Sequence, residues 1–116
     1  AHLIARYRPQ TAVLEMIFTH QAYPSTAALM GHARGVACLV LEEQGVAMAE
    51  YPPARIKQAL TGLGSASKVQ VARMLEQWTG ARDPSWAADA TDALALAVAH
   101  AQMQRRRSRL PVGAVK

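Results

Sequence analysis

One cysteine, Cys38, stands among 116 residues, so an internal disulfide framework is excluded. Aromatic side chains are almost as scarce, with one Phe, three Tyr and two Trp. No apolar run approaches the roughly 18 residues that a bilayer-spanning helix needs; the longest are residues 36–41 and 93–99. No hydrophobic leader opens the chain, which makes a cytoplasmic protein the expectation. An acidic excess is missing as well. With 18% charged and 51% apolar residues, the composition also excludes a disordered polyelectrolyte. What fills the space is alanine, at twenty-four positions. A core built from it must rest on close approach of backbones more than on large side chains.

The net charge of +5 is unevenly placed. Arg105, Arg106, Arg107, Arg109 and Lys116 account for all of the excess, and residues 1–104 are balanced. Residues 1–104 are therefore expected to form one domain, with 105–116 as a basic, disordered tail. A tail of this kind fits nucleic acid binding or simple solubility.

Residues 1–8 read as the last turns of a helix stopped by Pro9. The chain thus begins inside an element and without Met, as a piece of a longer protein would. Residues 11–18 form a continuous apolar run suited to a strand buried on both faces. Ser25 caps a helix to about Gln44, closed by Gly45, and residues 46–50 form a second strand. Pro52 and Pro53 open a short helix to Leu60, Ser65 or Ser67 caps another to Thr79, and Asp83-Pro84 caps the last, which ends near Gln104. This order is that of an α/β protein.

Glu15 is the first residue that asks for chemistry. A carboxylate inside a doubly buried strand costs several kcal/mol unless paired or bound to a metal. A partly open face or an ion pair to an Arg would also explain it. Asp89 and Asp92, three residues apart, share one face of the last helix, and Leu96, Ala99 and Met103 continue that face as a core stripe. Both acids are thus expected to point inward, although a helix N-terminus also favours negative charge. Three carboxylates so placed suit a hard divalent cation such as Mg²⁺, which supports phosphoryl transfer to water. Residues 54–70 carry Arg55, Lys57 and Lys68 with no acid. Together with Ser65, two glycines and a helix start, they make a phosphate-binding corner or an ordinary solvated loop. His32 and Cys38 read as helix packing, and Met48 and Met74 as core filler. Ala28, Gly31, Gly35 and Cys38 form a stripe of small residues on their helix.

The strand with Glu15 followed by ALMGHARGVA, then YPPARIKQALTGLGSASKVQV, then AADATDALALAVAH, resembles the RuvC family of Holliday-junction resolvases. The resemblance runs from Ala1 to about His100 and covers roughly the last two-thirds of such a protein. It implies a ribonuclease-H-like mixed sheet flanked by helices, here without the first three strands. It also implies a homodimer that cuts four-way DNA junctions by paired, symmetrical, Mg²⁺-dependent nicks, with Mn²⁺ able to substitute. The branch-migration complex of the recombination machinery is the implied partner, and no membrane is involved. Glu15, Asp89 and Asp92 match three of the family's four catalytic, metal-binding carboxylates; the fourth, on the first strand, has no counterpart. Lys57 and Lys68 match DNA-contacting lysines, and Phe18 an aromatic that stacks near the junction point. The helix with Gly31 and Gly35 matches the one at the family's dimer interface. The other readings are a non-catalytic DNA-binding or dimerisation fragment, and a ribonuclease-H-like nuclease with another substrate.

Overall fold

The computed structural model describes residues 1–16, 24–80 and 88–109, and its described elements run in the order α, β, α, β, α, α, α. They fall into two units, residues 1–52 and residues 53–116.

In the first unit α1 (His2–Tyr7) ends at Arg8, whose φ of 47° turns the chain ahead of Pro9. β1 (Thr11–Glu15) and β2 (Ala47–Tyr51) pair in parallel, with Thr11 opposite Ala47 and Glu15 opposite Tyr51. A parallel pair needs a long crossover, and α2 (Pro24–Glu43) provides it. Its C-terminus closes in a Schellman motif. Gly45, at φ 69°, donates its N–H to the Glu42 carbonyl at 3.1 Å, and Val46 donates to Leu41 at 2.9 Å. Val46 and Leu41 are also the buried residues of this unit, as the hydrophobic pair of that motif should be.

The second unit is helical: α3 (Pro53–Thr61), α4 (Lys68–Thr79) and α5 (Ala88–Arg109). Pro53 stands at the first helical position, where its missing N–H costs nothing. Ser67 caps α4 in a capping box: its Oγ accepts the Gln70 N–H at 3.2 Å, and Gln70 Oε1 accepts the Ser67 N–H at 2.8 Å. Gly80, at φ 67°, ends the same helix. Ile56, Ala59 and Leu60 from α3, Ala66, Leu75 from α4, and Ala95 and Ala99 from α5 make the core.

The expected α/β class is observed, and among the described residues the sheet consists of these two parallel strands. Four expectations need correction. β1 is half-buried from Thr11 to Leu14, and Glu15 is exposed at its end, because the two-stranded sheet leaves the strand open. The helix expected to stop near Gln104 runs to Arg109, since arginine is a good helix former and cations suit a helix C-terminus. His32 and Met48 are exposed instead of packed. Ser25, expected to cap its helix, is a helical residue instead, because α2 already begins at Pro24. Gly31 and Gly35, with nothing within 4 Å of where a Cβ would stand, contradict no expectation. Residue 18, the Asp83-Pro84 cap and the end of the tail fall outside the described residues. Among the described residues no helix is long and apolar enough to cross a membrane.

Candidate functional site

Glu15 is the last residue of β1, and the ladder closes just beyond it, where Met16 donates its N–H to the Tyr51 carbonyl at 3.0 Å. Among the described residues its carboxylate has no cationic partner. The ion pair allowed for in the sequence is present in another form. Arg34, from the middle of α2, donates from Nη1 to the main-chain carbonyl of Glu15 at 3.2 Å, and its Nη2 pairs with the Glu50 carboxylate. Arg34 and Glu50 were not singled out by sequence, although a signal existed. Arg34 is the sole Lys or Arg between Arg8 and Arg55, in a stretch that holds four glutamates.

In the second unit Asp89 lies in the first turn of α5 and Asp92 one turn later, and both are exposed. The expectation that they point into the core is corrected in depth more than in direction. Asp92 is seven residues before Ala99, about 20° away around the helix, and Ala99 is fully buried. Burial on α5 begins only at Ala95, so the acids occupy the outward continuation of the packed face. No cation pairs with either of them among the described residues.

Lys57 is half-buried on α3, and the carbonyl of the same residue accepts the Thr61 hydroxyl at 2.7 Å. Lys68 is exposed as the first residue of α4. The capping box uses the N–H groups of Ser67 and Gln70, while those of Lys68 and Val69, in the first helical turn, have no intrahelical acceptor. Ser65 is exposed in the loop before them. Arg55 is also exposed and donates from Nε to Met103 Sδ at 3.4 Å, which ties the start of α3 to α5. The corner therefore offers two lysines, a guanidinium, a hydroxyl and free amide N–H groups on one helical unit. Phosphate oxygens are the ligands that suit such a set.

Glu15 in the first unit, and Asp89 and Asp92 in the second, each offer an exposed carboxylate without a competing cation among the described residues, and carboxylate oxygens are the donors a hard divalent cation takes. Within neither unit, among the described residues, do three His, Cys, Asp or Glu side chains form a ligand cluster by themselves.

Comparison with known proteins adds to this geometry. Residues 1–100 match the model of the family described as Crossover junction endodeoxyribonuclease RuvC. Over 101 residues the chain is 48% identical to the crossover junction endodeoxyribonuclease RuvC of Halorhodospira halophila, a match that covers 87% of this chain and 59% of that protein. The protein of the same name from Moorella thermoacetica is 40% identical over 107 residues, with 92% of this chain and 64% of that one covered. Among solved structures, Thermus thermophilus RuvC in complex with a Holliday junction substrate aligns with a TM-score of 0.75 at 32% identity, over 92% of this chain and 64% of that one. The fold is therefore the ribonuclease-H-like one. The chain spans about three-fifths of the length of these relatives.

Proposed function

Because the chain belongs to the RuvC family of crossover junction endodeoxyribonucleases, we propose that it serves a structure-specific endonuclease that resolves four-way DNA junctions by paired nicks. The observation that supports the reading is the condition of Glu15, Asp89 and Asp92, which the resemblance pairs with the family's carboxylates: each is exposed and none is neutralised by a cation among the described residues. A structural ion pair would have consumed at least one of them. Residues 1–104 act in this reading as one nuclease domain in which Glu15 joins Asp89 and Asp92 around Mg²⁺ or Mn²⁺. The bound ion supplies a water acidified for attack and a positive charge beside the leaving oxygen.

The chain's own residues supply the rest. Lys57, Lys68 and Arg55 attract the phosphates of the strand to be cut, and Ser65 with the free N–H groups at the start of α4 fixes its register. Phe18, outside the described residues, stacks on a base at the junction point. Two copies joined through the outer face of α2 present two such sites to the two equivalent strands. The branch-migration complex delivers the junction, in the cytoplasm.

The test is a nicking assay on a four-way junction with the intact protein. Mg²⁺-dependent paired nicks are expected, and Asp92→Asn should abolish them while leaving junction affinity within about twofold, since the carboxylate serves the chemistry more than binding. Binding by the unaltered protein without any Mg²⁺-dependent nicking would favour a non-catalytic DNA-binding module. Nicking of RNA in preference to junctions would move it to another ribonuclease-H-like nuclease.

A further inference from the structure

Arg34 holds three elements at one point. It rises from α2, grips the last carbonyl of β1 and pairs with a side chain of β2. Arg34 keeps 19% of its side chain exposed and Glu50 43%, so solvent screens the charge pair in part and the geometry of the contact matters more than its strength. Two separate acceptors, a main-chain carbonyl on Nη1 and a carboxylate on Nη2, are a task for the planar guanidinium fork. A lysine ammonium satisfies one or the other.

The register tells what this contact acts upon. Leu14 is paired with Glu50, and Glu15 with Tyr51. Side chains alternate across a sheet, so Glu50 shares the face that α2 covers, and the Glu15 carboxylate projects from the opposite one. Arg34 thus reaches Glu15 through its backbone and leaves the carboxylate unpaired. The contact falls on the last residue of β1, on the carbonyl of the same peptide unit whose N–H, that of Met16, is donated to the Tyr51 carbonyl. Arg34 and Tyr51 thus hold the two sides of that peptide, and without Arg34 its carbonyl loses this partner beside the residue that bears the carboxylate.

We infer that Arg34 is a positioning residue that fixes the direction of the Glu15 carboxylate for a divalent cation, with Glu50 holding the guanidinium in place. The inference rests on the reading of Glu15 as a metal ligand. Removal of a partner that orients a ligand typically weakens metal affinity by about 10- to 100-fold, and the loss should be one of affinity, restorable by excess metal.

The experiment measures Mn²⁺ binding to the intact protein by electron paramagnetic resonance, without DNA and without reference to activity. Arg34→Lys, Arg34→Met and Glu15→Gln are compared with the unaltered protein. Arg34→Lys should weaken Mn²⁺ by about tenfold, raise the metal concentration for half-maximal nicking to match, and keep the melting temperature and junction affinity of the parent. Arg34→Met should weaken Mn²⁺ at least as much. If either variant fails to fold, Glu50→Gln, which keeps an acceptor but loses the charge, should weaken Mn²⁺ severalfold. Unchanged Mn²⁺ affinity in a folded Arg34 variant, with Glu15→Gln weakened, overturns the positioning role alone. Unchanged affinity in Glu15→Gln removes Glu15 from the metal site and overturns both the role and the reading beneath it.

Discussion

Ala99 loses all of its accessible surface and Leu60 keeps 2%, and the pair shows how an alanine-rich chain closes a core. The alanines of α5 bring its backbone near α3, and one large side chain fills what is left. The packing around Leu60 is therefore fixed by rigid backbones that cannot collapse into a gap. Leu60→Ala should cost about 3 kcal/mol, at the middle of the range for leucines removed from such sites. A denaturant midpoint at unchanged slope would measure it, and a loss under about 1 kcal/mol would mean that the helices close over the cavity. Individual acids follow a different logic. Glu15, Asp89 and Asp92 are exposed, as Glu42 and Glu43 are. Glu50, by contrast, has its cation in Arg34. Pairing marks Glu50 as serving structure, while exposure alone does not single out the three acids proposed to serve chemistry.

The ends of elements were written most clearly in the sequence. Gly45 and Gly80 end α2 and α4 as expected, and of the two serines expected to cap α4 it is Ser67 that does so, because capping is chemistry between near neighbours. Depth was far less legible. Periodicity gave the direction of Asp92 on α5 correctly but not how far along the helix its neighbours reach, so it read as buried. The same limit hid Arg34, whose two partners lie nineteen and sixteen residues away and meet it only through the parallel register. The strand run was likewise taken as doubly buried, since an apolar segment does not state how many strands flank it. Element boundaries also bear on DNA. The capping box holds the first turn of α4 rigid, so Lys68 is presented without a further ordering cost. Lys68→Ala should lower the slope of log affinity against log salt by about 0.9, as for one phosphate contact. Lys57→Ala should do the same, and an unchanged slope in both would exclude direct phosphate contact at this corner.

At the scale of the whole molecule, an apolar surface among the described residues that the packing of its own unit does not cover is the outer face of α2. Leu29 is 69% exposed, Val36 64% and Leu39 58%, at a spacing that lines them along one side of the helix. Gly31 and Gly35 also lie on α2 with nothing within 4 Å of where a Cβ would stand, and Gly35 is the nearer of the two to that side. Of the stripe of small residues, Ala28, Gly31 and Gly35 are exposed and Cys38 is half-buried, while the other covered residues of α2 are its buried Leu41 and the half-buried Ala27, Arg34, Ala37 and Val40. A second copy is the occupant that the proposed paired nicking requires, because two equivalent strands call for two sites related by a two-fold axis. Val36→Glu is the sharp test, since the position is exposed in the single chain and a charge there should not disturb its fold. It should weaken the dimer by about a hundredfold or more, because an unpaired carboxylate would be buried at the contact. Sedimentation velocity at micromolar concentration should then show a folded monomer that nicks one strand at a time. If Val36→Glu sediments as a dimer with paired nicks intact, or if the unaltered protein makes paired nicks as a clean monomer, α2 is not the dimer contact.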